Sequence, residues 1–190
     1  METLFTRMPR AQMAPEWQGA WDMLNKLTGD ATFVEVFAQA PALLEFVMQK
    51  FYAGVFFGGT VDQRYKQLAR LQLSLIHGCR TCNKQNIPGA LGAGFTAAQI
   101  EALHEGRVDG FTAAERAVIE FARQVALSNM EGRMSRELFR SLREHFSEGE
   151  ILELGTAMAV ISGMAKLSFV LDLVERESYC PFSPQASAAA

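Results

Sequence analysis

The sequence predicts an all-α protein. Apolar residues recur three and four positions apart through almost every segment, and no run alternates apolar and polar residues over the length of a strand. Three capping boxes mark helix starts: Thr96 with Gln99, Thr112 with Glu115, and Ser147 with Glu150.

Pro15 opens a first helix with Trp17, Trp21, Leu24 and Leu27 as its apolar stripe. Gly29-Asp30 breaks it before a short second helix through Phe33, Val36 and Phe37. Pro41 opens the third, 42–57, which carries Leu43, Leu44, Val47, Phe51 and Val55 and ends at Gly58-Gly59. Residues 61–77 form a helix with two unlike faces. Leu68, Leu71 and Leu75 lie on the apolar one, while Gln63, Gln67, Arg70, Ser74 and His77 fall on a polar stripe leading to Cys79. Gly78 bends the chain into a new helix, which Pro88 and the glycines at 89, 92 and 94 limit or kink.

The capping boxes then start three more helices. The one over 113–128 buries Ala117, Val118, Phe121 and Val125, and a shorter helix after Ser135 carries Leu138, Leu142 and Phe146. The last runs over 148–175 and is apolar almost all round from Ala157 to Met164, so it is expected either to be the central helix or to be covered in part by a second subunit.

At 190 residues and 49% hydrophobic content, the chain has material for one domain. The expected division is an N-terminal helical arm at 1–39, a main domain at 40–177 and a flexible tail at 178–190. Net charge is −3 with the signs interleaved, which gives no nucleic-acid footprint. No apolar run of signal-peptide length follows Arg7 and Arg10, and Lys166 and Asp172 interrupt the most apolar segment. A cytoplasmic protein without membrane partners is expected, a setting in which close cysteines serve catalysis, redox sensing or metal binding more often than stapling.

Cys79 and Cys82 are such a pair, and the chain has three cysteines in all. If they open a helix, both sulfurs share one face near unpaired N–H groups, with Arg80 and Lys84 adding positive charge; each of these favours thiolate. One sulfur can attack a peroxide or disulfide and the other can resolve the product. The bland alternative is two small buried residues that fall three apart. A zinc site needs four ligands, and His77, His104, His145 and Cys180 are not paired at ligand spacing. His77 is either a base for a thiol proton or a cation at a helix C-terminus. Cys180 is read as a free thiol. No cofactor motif is present.

Asp62-Gln63-Arg64, Leu68 to Leu71, His77-Gly78-Cys79 through Cys82, Ala90 to Gly94 and the 112–121 segment together resemble the AhpD-like alkylhydroperoxidase group of the carboxymuconolactone decarboxylase superfamily, over about residues 40–175. The resemblance implies an AhpD-like helical bundle with the cysteine pair at a helix N-terminus, assembled as a homo-oligomer, a trimer or hexamer. It implies reduction of a hydroperoxide or disulfide, with a dithiol protein or small thiol as reductant, Cys82 attacking and Cys79 resolving. The family's proton relay places a glutamate and a histidine where this chain has Gln67 and Asn86, and amides do not titrate. Two alternatives follow: a non-enzymatic redox-responsive or structural oligomer that has lost the relay, and a cofactor-free decarboxylase-like enzyme.

Overall fold

The computed structural model describes residues 3–182, and among these every regular element is helical. In chain order they are a 3-10 turn (Arg10–Gln12), α1 (Pro15–Thr28), α2 (Thr32–Phe37), α3 (Pro41–Glu45) running into a π-helical stretch (Phe46–Phe56), α4 (Gln63–His77), α5 (Arg80–Gly92), α6 (Ala97–His104), α7 (Ala113–Val125), α8 (Arg136–Arg143) and α9 (Glu148–Val170). All three capping boxes form with both reciprocal hydrogen bonds.

The helix expected over 42–57 changes register after Glu45. In a π turn residues five apart share a face, so Phe51 and Phe56 both reach the interior, and their rings pack edge-on with Tyr52 and Phe57. Pro88 does not end α5, which continues to Gly92. Helix α7 stops at Val125 rather than 128, because the Leu127 N–H is taken by the His77 side chain. Helix α9 stops at Val170, and Asp172 turns in the left-handed region at φ 50° while its carboxylate accepts from Arg176.

The central helix is α4, not α9. It packs against α5, α7 and α9, and every residue from Lys66 to Leu75 is buried, the polar stripe included. Helix α9 buries Ile151, Leu154, Ala157, Met158 and Phe169 but leaves Leu152, Leu167 and Val170 on an exposed face. It is long and apolar enough to cross a membrane by length and composition, but its core-facing side is already occupied by α4 and α7. Most polar groups of α4 are held inside by internal partners, although Gln63 Oε1, Arg70 Nε and Gln72 Oε1 have none. Lys66 Nζ meets Glu153 Oε1 of α9 at 2.7 Å, and Ser74 Oγ donates to the Leu71 carbonyl at 3.0 Å. Arg64 Nε reaches Glu115 Oε1 of α7 at 2.6 Å while its guanidinium lies over the Phe95 ring at 3.9 Å.

The residues expected as an arm are packed. Met13, Trp17, Leu24, Val34, Val36 and Phe37 form a second core with Leu44, Val47 and Leu173, and α1 lies against α5. The segment after Val174 crosses the head of α5, where Cys180 is buried and the Phe182 ring stacks on Phe169. Of the expected tail, 178–182 is thus part of the packed body, and 183–190 lies outside the described residues.

Candidate dithiol site

Gly78 joins α4 to α5 at φ +61°, a conformation glycine adopts freely. A second constraint acts there too: a Cβ on residue 78 would fall 2.6 Å from the Cys180 Cα. The turn places Cys79 at the N-cap of α5, its N–H donating to the Ser74 carbonyl at 3.1 Å and its Sγ accepting from the Cys82 N–H at 3.2 Å. Cys79 and Cys82 are joined as a disulfide, with Cα atoms 5.2 Å apart. Their environments differ: Cys79 is fully buried and Cys82 is partly exposed.

The C-terminal strap closes over this turn. Arg80 N–H donates to the Glu175 carbonyl at 2.9 Å, Glu177 N–H to the Gly78 carbonyl at 2.8 Å, and Glu175 N–H to Thr81 Oγ1 at 2.9 Å. Arg80 and Lys84, the cations expected to favour thiolate, are paired with Glu177 at 3.1 Å and Glu175 at 2.9 Å. Each pair is partly solvent-exposed and adds little stability. The local charge therefore balances, and what favours a sulfur anion here is the helix N-terminus.

His77 serves elsewhere. Its Nε2 accepts from the Leu127 N–H at 3.1 Å, which leaves a neutral ring's other nitrogen carrying the proton and no lone pair for a thiol proton. Burial pushes the imidazole down to about 4. The sign follows: the unfolded state takes up a proton near pH 6.5 and the folded state resists until about 4, so His77 stabilises the fold above 6.5 and that contribution is lost as pH falls through this window. Urea titrations of wild type and His77→Gln between pH 7 and 4 are expected to show the wild type losing more stability; parallel curves would contradict this role.

Gln67 and Asn86, which stand where the resemblance places a relay, meet around Arg70. Arg70 Nη2 donates to Gln67 Oε1 at 2.8 Å, and Asn86 Nδ2 donates to the Arg70 carbonyl at 3.4 Å. A Cβ at Gly89 would sit 2.7 Å from Gln67 Oε1, so glycine is what lets α5 approach here. Arg70 is 8% exposed, its Nε is unpaired, and among the described residues it makes no ion pair. Burial lowers its pKa, and the Tyr52 phenol partly offsets this. A carboxylate at 67 would meet this cation. Gln67→Glu is therefore expected to raise stability by about 1 kcal/mol, the order of a hydrogen bond to a charged group less the cost of desolvation. The new carboxylate would be held ionised by Arg70 and so make a poor proton carrier. A fall in melting temperature for this variant would overturn the assignment.

The paired cysteines stand at a helix head as the sequence leads one to expect, but the roles of Thr81, the strap and Cys180 at this site are not legible in it. Arg70 already stood in the polar stripe. Nothing local in the sequence ties residues 175–180 to residues 77–81, a contact across about a hundred positions. Among the described residues no three His, Cys, Asp or Glu side chains cluster as metal ligands.

Residues 41–124 match the Carboxymuconolactone decarboxylase family. The uncharacterized protein YdfG of Bacillus subtilis (strain 168) is 23% identical over 113 residues, 59% of this chain and 76% of that protein. The debrominase Bmp8 in complex with 2,3,4-tribromopyrrole superposes with a TM-score of 0.73 at 19% identity, over 100% of this chain and 97% of that one. The alkylhydroperoxidase AhpD core of an uncharacterized peroxidase-related protein from Ralstonia eutropha JMP134 gives 0.71 at 12% identity, over 93% of each chain. At these identities the structural likeness is one of fold.

Proposed function

We propose that this chain, whose residues 41–124 match the Carboxymuconolactone decarboxylase family, is an AhpD-like dithiol oxidoreductase acting through Cys82 and Cys79. The observation that carries the reading is the asymmetry of the pair: Cys82 is partly exposed at the head of α5, and Cys79 lies buried behind it. The accessible sulfur meets the substrate and the sheltered one resolves. With a hydroperoxide, the Cys82 thiolate takes the distal oxygen, the O–O bond breaks and the alkoxide leaves with a solvent proton. Cys79 then attacks the Cys82 sulfenic acid, water leaves, and the disulfide closes. An external dithiol returns both sulfurs to thiols and carries away the two electrons.

A second reading has support in Gln67 and Asn86, which supply no titrating base, and in the whole-chain likeness to a debrominase. The same two electrons suit reductive dehalogenation of a small aromatic, in which C–Br becomes C–H, bromide leaves and the disulfide closes. One experiment weighs both: reduced protein with a recycling dithiol, offered cumene hydroperoxide, a protein disulfide or a brominated pyrrole, with thiol-blocked protein beside it. Turnover of one class that blocking abolishes supports the reading and chooses the substrate. Equal rates with and without blocking would overturn it.

We further read the exposed face of α9, with Leu152 at 70% and Val170 at 64% exposure, as the seam of a homo-oligomer. Light scattering at micromolar concentration that gives a monomer would contradict this.

A further inference from the structure

All three cysteines of the chain meet in one place. Cys79, Cys180 and Phe169 form a buried cluster against which Cys82 packs, although Cys180 lies about a hundred residues from the pair. The Cys180 Sγ is a free thiol and donates to the His77 carbonyl at 3.0 Å, immediately before the Gly78-Cys79 turn. A Cβ at Gly78 would touch the Cys180 Cα at 2.6 Å, so Cys180 lies against the residue next to Cys79 and packs in the same cluster as it. A disulfide needs Cα atoms roughly 4.4–6.8 Å apart, so the exchange requires the turn at residues 78–79 and the strap to come within that range.

We propose that Cys180 is a third redox-active thiol, which exchanges with the Cys79–Cys82 disulfide and carries it onto the C-terminal strap. In the exchange the Cys180 thiolate attacks Cys79 Sγ, the Cys79–Cys82 bond breaks, and Cys82 leaves as a thiolate at the N-terminus of α5. The proton released by Cys180 goes to solvent, and no net electrons move. The step rests on the dithiol reading above and gives it a sheltered oxidised state. Cys79 is fully buried, so a bulky reductant has no direct approach to its sulfur. Cys180 is buried as well, and the strap is packed by the Phe182 ring on Phe169 and by hydrogen bonds to residues 77–81, so a disulfide ending on Cys180 is sheltered until the strap moves. Exchange also frees Cys82, the accessible nucleophile, before the reductant arrives. Proximity favours the intramolecular partner, since a neighbouring group on the same chain acts at millimolar effective concentration or above.

Trypsin separates the three sulfurs onto peptides 71–80, 81–84 and 177–190. Wild type and Cys82→Ser are equilibrated in a glutathione redox buffer, acid-quenched, alkylated and mapped without reduction. In Cys82→Ser, the linked pair 71–80/177–190 is expected to become the main oxidised species, about tenfold over glutathione adducts of Cys79. Wild type is expected to show the same link as a minor species beside 71–80/81–84. Absence of the 71–80/177–190 link from both proteins overturns the proposal. The mapping needs no turnover, so the two ideas fail separately: turnover without the link removes the role of Cys180 alone, and the link without turnover removes the enzymatic reading alone.

Discussion

Replacing Cys82 with serine is expected to lower steady-state turnover by roughly 10³-fold or more, to the rate of the recycling dithiol alone, because the reacting nucleophile is gone. A serine hydroxyl at a helix N-terminus gains nothing comparable, since it does not ionise near neutral pH and forms no disulfide. Cys79→Ser gives a different failure. The exposed Cys82 still reacts once, so a burst of one product per chain remains while steady-state turnover collapses with Cys82 held as sulfenic acid. Rapid-quench kinetics with mass mapping separate the two variants. A burst from Cys82→Ser and none from Cys79→Ser would reverse the assigned roles, and turnover in both at the wild-type rate would remove the dithiol from the chemistry.

Glu153→Gln is expected to destabilise the fold by about 3–5 kcal/mol, because it leaves the Lys66 ammonium buried without its counter-charge. The Lys66 side chain is 0% exposed and its Nζ has two partners, Glu153 Oε1 at 2.7 Å and the Val55 carbonyl at 3.0 Å. Glu153 is itself fully engaged. It accepts from Thr60 N–H at 2.8 Å, Thr60 Oγ1 at 2.7 Å and Val61 N–H at 3.2 Å, and so ties α9 to the loop that opens α4. Gly59 lets the carboxylate in, since a Cβ there would stand 2.1 Å from Glu153 Oε1. Burial raises the Glu153 pKa, but the hydrogen bonds from Lys66, Thr60 and Val61 outweigh it and hold the group down to about 2. Its stabilising contribution is therefore complete above pH 4.5 and lost as pH falls towards 2, a window below that of His77. In a chain this long each kcal/mol moves the melting temperature by about 2–4 °C, so the variant should melt roughly 10 °C lower at neutral pH. Lys66→Met with Glu153→Gln removes the stranded charge and keeps an acceptor for Thr60 and Val61, and is expected to recover most of the loss. A single variant that melts within 2 °C of wild type would show that water reaches Lys66.

Much of this molecule is readable from local chemistry. Thr96, Thr112 and Ser147 cap their helices through contacts three residues away, which any chain with those residues can make before it has a tertiary structure. The Gly29 and Gly78 ends are of the same kind. The dithiol was legible for the same reason, since a spacing of three brings both sulfurs to one face of a helix start. The errors fell where distant segments decide. Helix α7 ends early because His77, fifty positions before, takes the Leu127 N–H. The stretch after Glu45 widens into a π turn that suits the packing of its aromatic rings. Adjacency in sequence sets His77 beside the thiols, yet its side chain points to the end of α7.

The sequence by itself determined the helical elements, most of their starts and the presence of a cysteine pair at a helix head, because each depends on residues within one or two turns. Only the tertiary structure decided which helix is central. Polar residues on a helix read as a solvated face until partners for Lys66, Arg70, Ser74 and His77 are known, and those partners come from α9, from neighbours on α4 and from the chain beyond α7. It also decided that the third cysteine lies against the other two, since a contact between residues a hundred positions apart leaves no local periodicity to read.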